Sequence, residues 1–315
     1  MNKKLISRIS NGFGNQMFLY AASFVMAKKN NYDLFLDIHT GINHDIKRSK
    51  KNKFKNYIPK YELEIFNLSC DVLNKDLTFD STLGYLKRKI YIFLDRFKKN
   101  KNFIFEKKNL QKRHFFNQID QSFFQNKEIY IEGHFESEKY FLEYRNDILN
   151  EFNFKNKITC NEKYYENIVN SNSVSLVFRS NRFTEKYNDE KSPEKIDKTK
   201  KFEDDQYAYI SKAIEYFNKK VSNPKFFLFS DDFTKIENKL NNFDNIIFVK
   251  NFLSNKTLED FFLMIKCKNY AVGPTTFHWW SAWLNNNPDK ICVRPHNLNP
   301  SNNIDFWPES WDIIK

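Results

Sequence analysis

The sequence predicts an α/β fold of two Rossmann-like lobes with a central cleft. Short, wholly apolar runs such as 226–229 alternate with stretches of helical periodicity, the pattern of a parallel sheet covered on both faces. Two such series occur, and a polar stretch, 155–171, lies between them. Near the start of the first series, Asn11-Gly12-Phe13-Gly14-Asn15-Gln16 puts two of the chain's six glycines between a strand and a helix.

In the first series, 4–9 reads as a strand. Met17, Tyr20, Ala21, Phe24 and Val25 place a helix over 17–29, and 33–37 follows as the second strand. A basic region of helices and loops comes next, then a strand at 129–132 and a helix over 138–154. The second series has strands at 174–178, 226–229, 246–249, 270–272 and 290–294. Its helices fall at 207–221, 258–265 and 276–284, with a long polar loop over 181–205. The domains expected are residues 1–160, a Rossmann-like lobe carrying a basic helical insertion, and residues 161–315, a second Rossmann-like lobe.

At 315 residues and 41% hydrophobic content, the chain can bury a sizeable core. Cys70, Cys160, Cys267 and Cys292 are scattered and form no CxxC pair, which argues for a reduced compartment and against a disulfide scaffold or zinc site. No run approaches the roughly 20 apolar residues that cross a bilayer, and no signal peptide is evident, so a cytoplasmic protein is expected. The net charge of +12 is concentrated at 47–55 and 87–113. Within the second cluster, Leu86, Ile90, Phe93, Leu94 and Phe97 recur at helical spacing among Lys87, Arg88, Lys89, Arg96, Lys98 and Lys99. Three readings are open: a lysine-rich face whose apolar stripe packs on the core, a helix on an anionic membrane, or a nucleic-acid grip. No RNP, helix-turn-helix or zinc signature supports the last.

Glycines between a strand and a helix start form a phosphate-cradle layout, because glycine permits close backbone approach and the helix start offers N–H groups. Gly14 belongs to that turn. Asn15 and Gln16 either cap the helix or donate to a ligand oxygen. Ligands of parallel sheets bind beyond the carboxyl ends of the strands, where the second series places three polar groups. Arg179 can fork onto a diphosphate or form an ion pair with an acid such as Asp231. Asp231 and Asp232 can cap the next helix or accept from nucleoside hydroxyls, and no third acid or histidine stands at metal-ligand spacing. Gly273-Pro274-Thr275-Thr276 is again an anion-binding layout, with Thr275 or Thr276 as N-cap and the hydroxyl and backbone N–H groups facing a donor phosphate, while Trp279 and Trp280 are expected in the core.

Five segments in order, GFGNQMF with YAASFVMA, IYIEGHFESEKYF, FFLFSDD, LEDFFLMIKCKNYAVGPTTFHWWSAWLN and PESWDII, resemble the motifs of α-1,2-fucosyltransferases of glycosyltransferase family 11. The resemblance runs over nearly the whole chain. It implies a GT-B-like, inverting, metal-independent enzyme without a cofactor, whose donor substrate is a GDP-sugar. Fucose, or a related deoxysugar, would pass to a hydroxyl of a galactoside or other surface glycan, with an α-1,2 linkage. By motif position, Asn15 and Arg179 would contact the pyrophosphate, Thr276 would support it, and Asp231 or Asp232 would hold the nucleoside. Arg179 is the expected catalytic residue. His134, Glu136, Glu138 and His278 are the candidate general bases.

Two departures stand out. The family's HxRRxD motif falls on Val177-Phe178-Arg179-Ser180-Asn181-Arg182, which keeps only its first arginine. Gly273-Pro274 stands where Ala-Asn is usual. The phosphate grip is therefore expected to survive while base or sugar recognition differs. The rival expectation is a catalytically impaired relative that binds a sugar nucleotide or glycan, or one that uses another nucleotide sugar. The acceptor is expected to be a glycan, lipid-linked in one reading, with peripheral contact at an anionic inner membrane and no nucleic acid partner.

Overall fold

The computed structural model describes residues 3–51, 58–180, 182–183, 193–251 and 256–315. It divides into two compact units: residues 1–155 with 301–306, and residues 156–300 with 307–315. Each unit is built on its own parallel sheet.

In the first unit, β1 (Lys4–Arg8) leads into α1 (Phe13–Asn30), then β2 (Asp33–Asp37), α2 (Thr40–Lys51) and the short edge strand β3 (Asp71–Val72). Then come α3 (Thr82–Asp95), β4 (Phe103–Phe105), β5 (Glu128–Glu132) and α4 (Arg145–Glu151). The sheet order is β3-β2-β1-β5-β4, every pairing parallel. Helix α1 is buried on nearly every side, from Met17 to Ser23 without a break. It ends at Asn31, whose left-handed φ of 56° returns N–H groups to the last carbonyls. Tight turns at Glu138–Tyr140 and Leu142–Tyr144 replace the first half of the helix expected over 138–154.

In the second unit, α5 (Glu162–Val169) and β6 (Asn172–Phe178) precede α6 (Pro193–Lys220) and β7 (Pro224–Ser230). They are followed by α7 (Glu237–Leu240), β8 (Ile246–Phe248), α8 (Lys256–Lys266), β9 (Asn269–Ala271), α9 (Thr276–Leu284), β10 (Cys292–Pro295) and β11 (Asp312–Ile314). The order is β11-β10-β9-β6-β7-β8, again all parallel. The seven-residue strands β6 and β7 lie inside this sheet. One face of β6, Val174, Leu176 and Phe178, packs with Tyr209, Ile210, Ala213, Ile214 and Phe217 of α6. Strand side chains alternate between faces, so Ser173 and Ser175 turn to the other side. Trp279 and Trp280 are both fully buried, as the sequence led us to expect.

Two expectations need correction. The polar stretch before residue 206 is helix from Pro193 onward, where a loop was expected. Proline suits the first turn of a helix, and the Lys- and Glu-rich run behind it favours helix without needing an apolar face. The apolar stripe of α3 does not pack on the core. Leu86, Ile90, Phe93, Leu94 and Phe97 are exposed, and Ile92, on the opposite face, meets the cluster of Ile6, Leu73, Phe103 and Tyr130. The basic residues 52–55 lie outside the described residues.

Candidate functional site

Polar side chains gather at the carboxyl ends of both sheets. In the second unit, Arg179 follows β6, and its Nη1 lies 3.2 Å from Asp231 Oδ2 beyond β7. The side chains are 36% and 32% exposed, so solvent screens the pair and both reach the surface. The backbone of Arg179 is held more firmly. Its N–H donates to Gln206 Oε1 at 3.0 Å, and its carbonyl accepts from Gln206 Nε2 at 3.0 Å. Gln206, buried on α6, thus sets where the guanidinium starts. No sequence signal singled it out.

The two acids differ. Asp231 Oδ1 accepts from the Ser180 N–H at 2.8 Å, and its other oxygen faces Arg179. Asp232 Oδ1 accepts from the N–H and hydroxyl of Thr234, at 2.9 and 2.8 Å, which closes the turn after β7. Ser180, where the family motif has its second arginine, is fully buried and donates its hydroxyl to the Asp232 carbonyl at 3.1 Å. Two further departures, Val177 and Gly273, touch each other. A Cβ on Gly273 would stand 3.0 Å from the Val177 carbonyl oxygen and 3.2 Å from its Cβ. A valine at 177 and a bare backbone at 273 therefore fit as a pair.

The start of α9 is closed by its own residues. Thr275 is the N-cap, and its Oγ1 accepts from the His278 N–H at 3.1 Å. Thr276 is the first helical residue. His278, a candidate base, is fully buried. Its Nδ1 accepts from the Gly273 N–H at 2.9 Å, so the ring proton sits on Nε2, 2.9 Å from Ser175 Oγ. Burial lowers its pKa to about 3. His278 is thus a structural brace and not a base.

In the first unit, the turn before α1 bends at Asn11, the residue with positive φ (66°), and neither Gly12 nor Gly14 has one. Gly14 is buried inside the first turn of α1. Gln16 is fully buried, and all its polar atoms serve the fold: Nε2 donates to the carbonyls of Asn11 and Lys60, both at 2.8 Å, and Oε1 accepts from Glu62 N–H at 3.0 Å. Its expected donor-binding role gives way to a structural one. The Glu62 carboxyl group, its pKa raised by burial, accepts from the Phe13 N–H, so the chain supplies its own acceptor at this helix start. Asn15 Nδ2 donates to Glu136 Oε1 at 2.6 Å, and Ser301 donates to the other Glu136 oxygen. Glu136 is buried and held from two sides, while Glu138 is half-buried at the start of its turn.

Beyond β1, β4 and β5 lies a cavity of about 320 Å³ lined by Arg8, Arg48, Lys108, three histidines (His44, His114, His134) and three acids (Asp45, Glu106, Glu132), among others. Glu106 accepts from the N–H groups of His134 and Phe135 at 2.7 and 3.0 Å, and burial raises its pKa. His114 Nδ1 stands 3.1 Å from Glu106 Oε2 without the alignment of a hydrogen bond. Burial lowers the pKa of His114 to about 4 and also lowers that of His134. Both rings are therefore neutral near pH 7. Arg8 Nε is buried with no partner among the described residues. Of this group only His134 stood out in the sequence, since the rest converge from separate strands and loops. No group of three His, Cys, Asp or Glu among the described residues could hold a metal ion.

Comparison with known proteins follows the same lines. The family model for Glycosyl transferase family 11 matches residues 78–310. The chain is 28% identical to the O-antigen biosynthesis glycosyltransferase WbnK of Escherichia coli, over 96% of this chain and 99% of that one. It is 25% identical to an alpha-1,2-colitosyltransferase of Escherichia coli, over 99% of each. Among solved structures, a mutant of Arabidopsis thaliana FUT1 in complex with GDP matches 99% of this chain and 76% of its own, with a TM-score of 0.50 and 11% identity. The NodZ alpha-1,6-fucosyltransferase soaked with GDP-fucose matches 90% of this chain and 93% of its own, with a TM-score of 0.48 and 14% identity. With two parallel sheets, polar strand ends and a family match over most of its length, the chain belongs to glycosyltransferase family 11.

Proposed function

We propose that this glycosyltransferase moves fucose or a related deoxysugar, such as colitose, from its GDP-linked form to a hydroxyl of a surface glycan of the O-antigen kind, with inversion. The α-1,2 linkage to a galactoside is the product this reading expects. Its support is Arg179: a guanidinium at the carboxyl end of a buried strand, backbone-fixed by Gln206 and partly exposed. The O-antigen glycosyltransferase and the colitosyltransferase that this chain resembles point the same way.

In this mechanism the acceptor hydroxyl attacks the anomeric carbon while the bond to the diphosphate breaks. Charge collects on the leaving diphosphate. Arg179 and the start of α9, where Thr276 stands, meet that charge with a fork of N–H donors and a helix dipole. Asp231, paired with Arg179, turns the fork and accepts from the nucleoside, with Asp232 beside it. No step calls for a metal. The hydroxyl proton passes to a base, and His134 is the candidate whose ring is neutral and lines a cavity. That cavity, with its cations, carboxylates and the unpartnered Arg8 Nε, suits the hydroxyls of an acceptor sugar.

The test is a panel of GDP-sugars incubated with the protein, with and without acceptor glycans, reading GDP release and the linkage of the product. Transfer from one GDP-deoxysugar, unchanged by EDTA, supports the reading. GDP-sugar binding without release under every acceptor would instead mark the impaired relative that the altered HxRRxD motif suggests.

A further inference from the structure

Helix α3 shows the solvent an apolar face of a kind that a soluble surface seldom carries. Leu83, Leu86, Ile90, Phe93, Leu94 and Phe97 are each between 48% and 79% exposed. At about 100° per residue they fall within a sector of roughly 100°. Phe97, just past the helix, joins the face by resting its ring on Phe93, 5.4 Å between centroids. Scattered exposed apolar residues are ordinary, but a contiguous face of this width marks an interaction surface.

The opposite face shows that the helix is fixed in this orientation. Ile92 packs on the sheet. Arg88 forks onto the buried Glu132 at the end of β5, with Nε 2.7 Å from Oε1. Asp95 is buried and accepts from the N–H groups of Asn102 and Phe103, at 2.8 and 3.0 Å. Turning the apolar sector inward would break both buried charge contacts, which is far costlier than leaving Leu and Phe wet.

Charge identifies what covers the face. On the same wheel, Lys87 borders the sector on one side and Lys89 on the other, and Arg96, Lys98 and Lys99 follow in the next turn. All five are exposed, and Asp95, the one acid between residues 82 and 99, is buried. A second copy of this face would bring cation against cation with no exposed acid to pair. An apolar strip bordered by cations matches a bilayer surface, where side chains enter the acyl boundary and lysines meet anionic headgroups.

We propose that α3 docks this protein on an anionic phospholipid surface, lying in the interface with Leu86, Ile90 and Phe93 inserted and its lysines on the headgroups. The proposal does not depend on which sugar is transferred. Arg88 is excluded from the membrane contact because Glu132 holds it.

The test is sedimentation of the full chain with vesicles of phosphatidylcholine and phosphatidylglycerol, against phosphatidylcholine alone, at low and high salt. We expect binding to the mixed vesicles that weakens as salt rises. Replacing Lys87, Lys89, Lys98 and Lys99 together by Gln should lower the partition coefficient about fivefold for each lysine removed. Phe93→Ser with Phe97→Ser should abolish binding without lowering the melting temperature, since these rings are already in water. Donor hydrolysis in solution should stay at the level of the parent in both variants, which separates this proposal from the reading of the active site. Failure of the parent to bind mixed vesicles at low salt overturns it. So does an oligomer in solution that Phe93→Ser and Phe97→Ser convert to monomer, because the face would then be covered by another copy. Unfolding of that double variant would show that the face is core, and would overturn it as well.

Discussion

Helices α1 and α9 open on the same sequence device, glycine followed by residues that can cap or donate, yet the two starts are closed in different ways. At α9 the closure is local: Thr275 caps His278, and the His278 ring reaches back to Gly273, five residues away. At α1 the N-cap residue is Gly12, with no side-chain hydrogen bond, and closure comes from far along the chain. Gln16 is clamped to Lys60 and Glu62, and Glu62 returns a carboxyl group to Phe13. A helix start that looks ready for an anion can be built for a ligand or completed by the protein. What decides is which side chains the rest of the fold delivers.

The largest effect expected lies in the unit of α9, at Arg179. Arg179→Ala should cost about 2–4 kcal/mol of transition-state stabilisation, roughly a 30- to 1000-fold fall in kcat/KM, with the fold intact. Arg179→Lys should recover only part, since an ammonium lacks the planar fork. Unchanged turnover in a folded Arg179→Ala protein would remove the diphosphate from this strand end.

Gln16 breaks or sharpens the contrast directly. Gln16→Leu leaves the carbonyls of Asn11 and Lys60 and the Glu62 N–H without their partner and should cost about 1–3 kcal/mol of stability, read as a lower melting temperature. If the variant instead melts like the parent and its donor KM rises, Gln16 faces the donor and the α1 start is open.

At α9, His278 should make the fold sensitive to acid. Its pKa falls from 6.5 to about 3 on folding, so below pH 6.5 the unfolded chain takes up a proton that the folded chain refuses. Its contribution to stability is complete above pH 6.5 and is lost as the pH drops toward 3, at no more than about 1.4 kcal/mol per pH unit. The NMR signal of its ring should not titrate between about pH 5 and 8, and a midpoint there would show that the ring is not sealed in the core.

The smallest effect belongs to the cap. Thr275→Val should lower stability by about 1 kcal/mol and leave donor affinity nearly unchanged, because Oγ1 is spent on His278. A large rise in donor KM without a change in melting temperature would mean that the hydroxyl leaves its cap for the phosphate.

The sequence by itself determined much of this protein. Buried strands such as β6 and β7 announce themselves because a parallel sheet apolar on both faces needs uninterrupted apolar runs. The α9 start was legible because its cap lies within one turn. Arg179 was marked by its place after a strand, and its pairing with Asp231 was foreseen as one of two readings. Elements held by few apolar contacts were not legible. The two-residue β3 and the polar first half of α6 lack the periodicity that reveals buried elements. Contacts between distant residues were also hidden: Glu62 at Phe13, Gln206 at Arg179, and the histidine cavity all join segments whose separation follows no rule of spacing. Helix α3 shows the limit most clearly. Its amphipathic pattern is plain in the sequence, but a periodicity fixes only that two faces differ, not which one the core takes. Glu132, delivered by β5, fixed Arg88 inward, and the apolar side was left to the solvent.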